Sequence, residues 1–146
     1  MGVGAQAVSQ ALVVGGVLPD PRLAATAALR ESLVGTEWRL FSVSDSVTGE
    51  QAIDPNLYSI TFVEPGDFAA QADCNRLLGG WNLDKMTLTI TPGPMTKALC
   101  PPDSQSDAYV GWLGTTTSAE IDDAGHLILT SNDGETFTLL QFEAAQ

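Results

Sequence analysis

Met86-Thr87-Leu88-Thr89-Ile90-Thr91 is the cleanest period-two run in the chain. In an extended strand it puts Met86, Leu88 and Ile90 on one face and three threonines on the other. The same alternation recurs on both sides of it. Tyr58, Ile60 and Phe62 alternate with Ser59, Thr61 and Val63, and Phe68, Ala70, Ala72 and Cys74 with Ala69, Gln71 and Asp73. Thr36–Val43 is rich in aromatic and β-branched residues, with Trp38 and Leu40 on one face. Near the end, Leu127 and Leu129 alternate with His126 and Thr130, and Phe137 and Leu139 with Thr138 and Leu140.

The punctuation agrees with short strands. Pro65-Gly66-Asp67, Leu83-Asp84-Lys85, Asp122-Asp123-Ala124-Gly125 and Asn132-Asp133-Gly134 are turn-forming clusters between apolar runs, and such spacing predicts antiparallel hairpins. Asn132-Asp133-Gly134-Glu135 reads as a tight turn, since it lacks the repeated acidic spacing of a calcium loop. One helix interrupts the strands. Pro101-Pro102 stops the chain, Ser104 can cap, Asp107 stands as a capping-box-like partner, and Tyr109, Trp112 and Leu113 form one apolar stripe. A second helix is predicted after Asp20-Pro21, with Asp20 as N-cap and Leu33-Val34-Gly35 as its end. The expected fold is mainly β (α+β): an antiparallel, hairpin-built sandwich or barrel-like domain over 32–146 with one short packed helix, preceded by a helical extension over 1–31.

Composition narrows the function. The chain has 146 residues with 6 Lys and Arg against 18 Asp and Glu, and 6 − 18 gives −12. That charge argues against nucleic acid, whose phosphates are bound by Lys and Arg, and against adsorption to anionic lipid. No apolar run approaches the roughly 20 residues of a spanning helix, so membrane insertion is not expected. The run Ala11–Leu18 has no basic residue before it, the first being Arg22. Residues 1–18 therefore read as a leader or a packed segment rather than a secretory signal.

Two short motifs carry a family resemblance. Leu33-Val34-Gly35-Thr36-Glu37-Trp38 is similar to the opening of the META domain family, which includes HslJ-like bacterial envelope proteins. Asp73-Cys74-Asn75-Arg76 followed by Gly79-Gly80-Trp81 resembles its first motif, and Thr96 through Cys100 with Pro101-Pro102 its second. The resemblance covers about residues 33–142 and implies a compact β fold with a helix, an extracytoplasmic bacterial location (periplasmic, cell-surface or secreted) and no established catalytic residues. The anchoring cysteine of lipoprotein members is absent near the start.

Cys74 and Cys100 are the two cysteines. In an exported protein they read first as a disulfide, with two buried thiols as the alternative. Asp73, Asn75, Arg76, Trp81 and Thr96 form the candidate motif or partner patch. In the structural reading Asn75 takes a turn conformation and Arg76 pairs with a carboxylate or caps carbonyls; in the functional one, Arg76 and Thr96 make an anion-holding or partner-facing patch. Trp38 and Trp112 read as core, and Trp81, beside glycines, as the exposed aromatic. Two isolated cysteines and a single histidine do not make a zinc set, and His126 lacks a nucleophile-elbow motif, so neither metal, cofactor nor catalytic residue is expected. The leading expectation is a monomeric, non-enzymatic exported domain, a stress-linked or interaction module with an unknown protein partner. The alternatives are a barrel carrying a small apolar ligand, a hydrolase using carboxylates or Cys74, and a protein inhibitor acting through loop 44–57 or 92–103.

Overall fold

The computed structural model describes residues 21–145, with side chains over 24–145; the N-cap assigned to Asp20 and the run Ala11–Leu18 lie outside the described residues. The elements in order are α1 (Pro21–Leu33), β1 (Glu37–Asp45), β2 (Gly49–Ala52), β3 (Tyr58–Val63), β4 (Asp67–Ala72), β5 (Asn75–Asp84), β6 (Thr87–Met95), α2 (Ser106–Gly114), β7 (Thr116–Ile121), β8 (Leu127–Asn132) and β9 (Phe137–Ala144). Every strand pairing is antiparallel, and from β3 to β9 each strand pairs with the next. β9 then returns to β1, with Ala144 opposite Trp38 and Thr138 opposite Asp45. The first part of β1 pairs with β3 and its second part with the short β2. The ring is thus closed by β1 and β3–β9, with β2 as a flap: a barrel rather than a sandwich.

Eight strands enclose a space that side chains can fill. Leu40, Ile60, Phe62, Leu77, Leu88, Ile90, Leu127, Leu129, Leu140 and Phe142 fill it and are essentially without solvent contact. The alternation puts Ile60 and Phe62 of β3, Leu88 and Ile90 of β6, and Leu127 and Leu129 of β8 inside, as the period predicts, whereas in β9 the inward set is Thr138, Leu140 and Phe142, and Phe137 and Leu139 face out. Met86 also departs from the reading: it follows Lys85, whose φ of 59° makes the turn, and is half-exposed, so the inward series starts at Leu88.

Three strands fall where the sequence shows none. β2 is exposed throughout and offers no apolar alternation. β7 buries only Thr116 and Ala119, so its inner face is too small to announce itself. In β5 the glycine pair reads as a turn but serves packing. A Cβ on Gly79 would stand 2.6 Å from the Phe68 ring and would also meet the Thr91 carbonyl, so the close approach of β4, β5 and β6 requires glycine.

The two helices stop the two ends of the barrel. At the Val63 end, Leu29 and Leu33 of α1 join the core, the Trp38 indole N–H donates to the Leu33 carbonyl at 3.1 Å, and Gly35 N–H donates to Phe62 O at 2.9 Å. Trp81, expected to be exposed, is buried here. Its indole N–H donates to Val63 O at 3.1 Å, its ring meets Phe62 edge-on at 5.3 Å, and the Arg30 guanidinium lies 4.6 Å above it while also pairing with Glu64 at 2.7 Å. The neighbouring glycines bring Trp81 in rather than expose it.

At the Tyr58 end, α2 inserts Tyr109 and Leu113. The Tyr109 hydroxyl donates to Ser59 O at 2.9 Å, and the ring packs on Tyr58 at 5.2 Å. Burial pushes the Tyr109 pKa well above its ordinary value near 10. The helix starts one residue later than Ser104 and Asp107 suggest: Gln105 stands at the N-cap without a side-chain bond. Its N–H is taken at 2.7 Å by the Tyr58 hydroxyl, and the Ser104 hydroxyl accepts from Ser106 N–H at 3.1 Å, so Ser104 does bond the first turn, joined by a tertiary contact in place of the capping-box return from Asp107.

Turns use their own acceptors. Asp45 accepts from Thr48 and Val47, and Asp133 from Thr136 and Glu135; these bonds hold both carboxyls below the usual range. Asn132-Asp133-Gly134 is the tight turn its residues predict, with Gly134 at φ 99°.

Candidate functional site

The two signature motifs meet at the rim closed by α2. Cys74 lies in the connection from β4 to β5, and Cys100 in the irregular chain between β6 and α2. They form a disulfide with 5.5 Å between Cα atoms, which leaves no free cysteine. Cys74 is therefore unavailable as a thiolate nucleophile.

Asn75 is the centre of the arrangement. It is the first residue of β5 and is buried. Its Oδ1 accepts from Ala98 N–H at 2.7 Å and from the Thr96 hydroxyl at 2.9 Å. Its amide donates to Ala98 O at 3.1 Å and lies 3.4 Å from the Cys100 sulfur. One buried side chain thereby meets both backbone groups of Ala98 and a hydroxyl, close to its full donor and acceptor capacity. The left-handed backbone expected of Asn75 belongs instead to Asp73, at φ 59°. The chain turns at Asp73, so that Asn75 can enter the strand and aim inward.

Thr96 closes the clamp from the other side. Its hydroxyl accepts from Arg76 N–H at 2.9 Å, and its N–H donates to Arg76 O at 3.0 Å. Thr96 thus carries the β5–β6 ladder one step past the Leu77–Met95 pair, which already lies beyond the register shift between Leu77 and Gly79. Arg76 contributes through its backbone. Its side chain is exposed and, contrary to the structural reading, pairs with no carboxylate among the described residues.

The product of this bracing is a fixed segment, Thr96 to Pro101, whose outermost side chain is Leu99, 99 % exposed. Burying a leucine side chain is worth about 2 kcal/mol, a gain the isolated chain leaves unused at this position. Beside the segment lies a hollow of about 220 Å³ lined by Asn75, Cys100, Pro101, Ser104 and Asp107. On the other flank, Leu78, Pro94, Met95 and the Arg76 side chain line a more apolar hollow of about 380 Å³. Cys74, Asn75, Thr96 and Cys100 stand out in the sequence and meet here; Ala98 and Leu99 were not singled out, although an apolar residue directly before a cysteine in a loop was a usable signal.

His126 lies apart from this site. Its Nδ1 is 3.7 Å from Asp122, and its ring meets Phe41 edge-on at 4.8 Å. Among the described residues, no three His, Cys, Asp or Glu side chains gather as a metal site, and no helix is long and apolar enough to cross a membrane.

A barrel stopped by two helices, with a Cys-Asn-Arg motif bonded to a Thr-to-Cys-Pro motif, defines a class that the family comparison names. The META domain profile matches residues 31–144, and the chain belongs to that family. No curated protein matches the sequence. Among solved structures, an NMR structure of a protein from Burkholderia xenovorans is similar with a TM-score of 0.64 at 20 % identity, over 95 % of this chain and 99 % of that one. A DUF4847-family protein from Bacteroides vulgatus is similar with a TM-score of 0.55 at 16 % identity, over 78 % of this chain and 95 % of that one. At these identities the likeness is one of fold.

Proposed function

We propose that the chain is a non-enzymatic, extracytoplasmic interaction module of a bacterial envelope, acting as a monomer whose braced segment 96–101 faces a protein partner. The observation that carries this reading is the pairing of rigidity with exposure: Leu99 stands in solvent on a segment held by the disulfide and by Asn75. Exposed apolar groups on a fixed scaffold bind at low ordering cost. A disulfide is at home in an oxidising compartment, which fits a location outside the cytoplasm. Family membership fits an envelope role and a stress-linked one. A ligand carrier is less well supported, because the barrel interior is filled by side chains. The test is capture from the envelope fraction of the producing cell with immobilised wild type and Leu99→Asp. The reading expects a protein retained by the wild type and lost with the variant; equal capture by both would refute it.

A further inference from the structure

The backbone of the braced segment alternates. Ala98 turns both its N–H and its carbonyl inward to Asn75. Its neighbours Lys97 and Leu99 have no backbone hydrogen bond within the described residues. Their N–H and carbonyl groups are left for an outside partner. This is the pattern of a strand edge with alternate residues free, presented with a wholly exposed leucine at one of the free positions.

An endopeptidase binds its target in this form. It takes an extended segment as an added strand, bonds main-chain groups at alternate residues, and reads one side chain in a primary pocket. From this geometry we propose that residues 96–101 form an inhibitory loop for a serine endopeptidase with an apolar primary pocket, which Leu99 enters. The proposal rests on the reading of this segment as a partner face and names the partner's class. Lys97 and Leu99 bond the enzyme's cleft, Ala98 faces back, and the apolar ledge of Leu78, Pro94 and Met95 extends the contact.

The bracing explains why such a segment inhibits rather than serves as substrate. Hydrolysis of the Leu99–Cys100 bond adds one water across the amide, giving a Leu99 carboxylate and a Cys100 amine. Cys100 stays tied to Cys74, and Ala98 stays bonded to Asn75. Both new ends remain in the cleft, so product release is suppressed and the segment pays little ordering entropy on entry.

The test uses the oxidised chain with chymotrypsin and subtilisin, which have apolar primary pockets, and with trypsin, which takes a basic residue, each assayed on a chromogenic peptide. The wild type is expected to inhibit at least one of the first two competitively and to spare trypsin. Leu99→Lys should weaken that inhibition at least about thirtyfold, the loss of one central anchor, and acquire inhibition of trypsin. Leu99 is almost wholly exposed, so both proteins should melt together, and intact mass reports cleavage. Absence of inhibition by both proteins, or rapid cutting followed by loss of the segment, overturns the proposal. If a Leu99-dependent partner from the envelope fraction is still captured in that case, the interaction reading stands and only the peptidase is wrong; if capture is also lost, both fall.

Discussion

Replacing Asn75 by Ala removes the clamp while leaving the disulfide in place. Four contacts disappear: those to Ala98 N–H, Ala98 O, the Thr96 hydroxyl and the Cys100 sulfur. At about 1 kcal/mol net per hydrogen bond the ceiling is roughly 4 kcal/mol. The sulfur is a weak acceptor, and the exposed segment lets water satisfy part of what is lost, so about 2–3 kcal/mol is expected. At roughly 3–4 °C per kcal/mol for a chain of this size, Tm should fall by roughly 6–12 °C, read by circular dichroism at pH 7. Asn75→Asp sharpens the test. It keeps size and acceptors but sets a carboxylate oxygen against the Ala98 carbonyl, so it should be no more stable than the alanine variant. A fall under about 3 °C for Asn75→Ala, or an aspartate variant as stable as wild type, would refute the idea that this side chain organises the segment.

Four other changes probe the rest. Cys74→Ser with Cys100→Ser should lower stability by roughly 3.5 kcal/mol in urea titration, the loop-entropy value for a sequence separation of 26. Gly79→Ala should cost about 2–3 kcal/mol by the same titration, because the new Cβ has nowhere to go beside Phe68. Tyr109→Phe should cost about 1–2 kcal/mol through the orphaned Ser59 carbonyl. Tyr109 has its folded pKa raised above the unfolded one, so the unfolded state ionises first: the wild type should lose stability above about pH 10, and the phenylalanine variant should lose less, measured as Tm from pH 9 to 11. Arg76→Ala should move stability by less than about 0.5 kcal/mol in thermal melts, since only its backbone is bonded in the clamp.

The period-two runs carried the barrel wherever an inward residue was large: Tyr58 to Phe62, Leu88 with Ile90, and Leu127 with Leu129 are legible because burial there needs bulky apolar groups. β7 escaped because its inward positions hold Thr116 and Ala119, and β5 because Gly79-Gly80 has the chemistry of a turn and the task of a close contact. Trp81 was misplaced for the same reason. In the site, Cys74, Cys100, Asn75 and Thr96 stood out as residues. Their geometry was hidden, because it depends on which edge of the sheet brings position 75 beside position 98. The exposure of Leu99 is a property of that juxtaposition and has no periodicity to betray it.

Closure through β1 and β9 has a consequence for biogenesis. Trp38 is partnered by Ala144, so the ring stays open while more than a hundred intervening residues are made. Until then β1 and the growing sheet each display an unpaired margin, the kind that sticks to other chains. The ring therefore closes only when its final strand is free to pair, and shortening β9 should yield a protein that aggregates rather than one that is merely smaller.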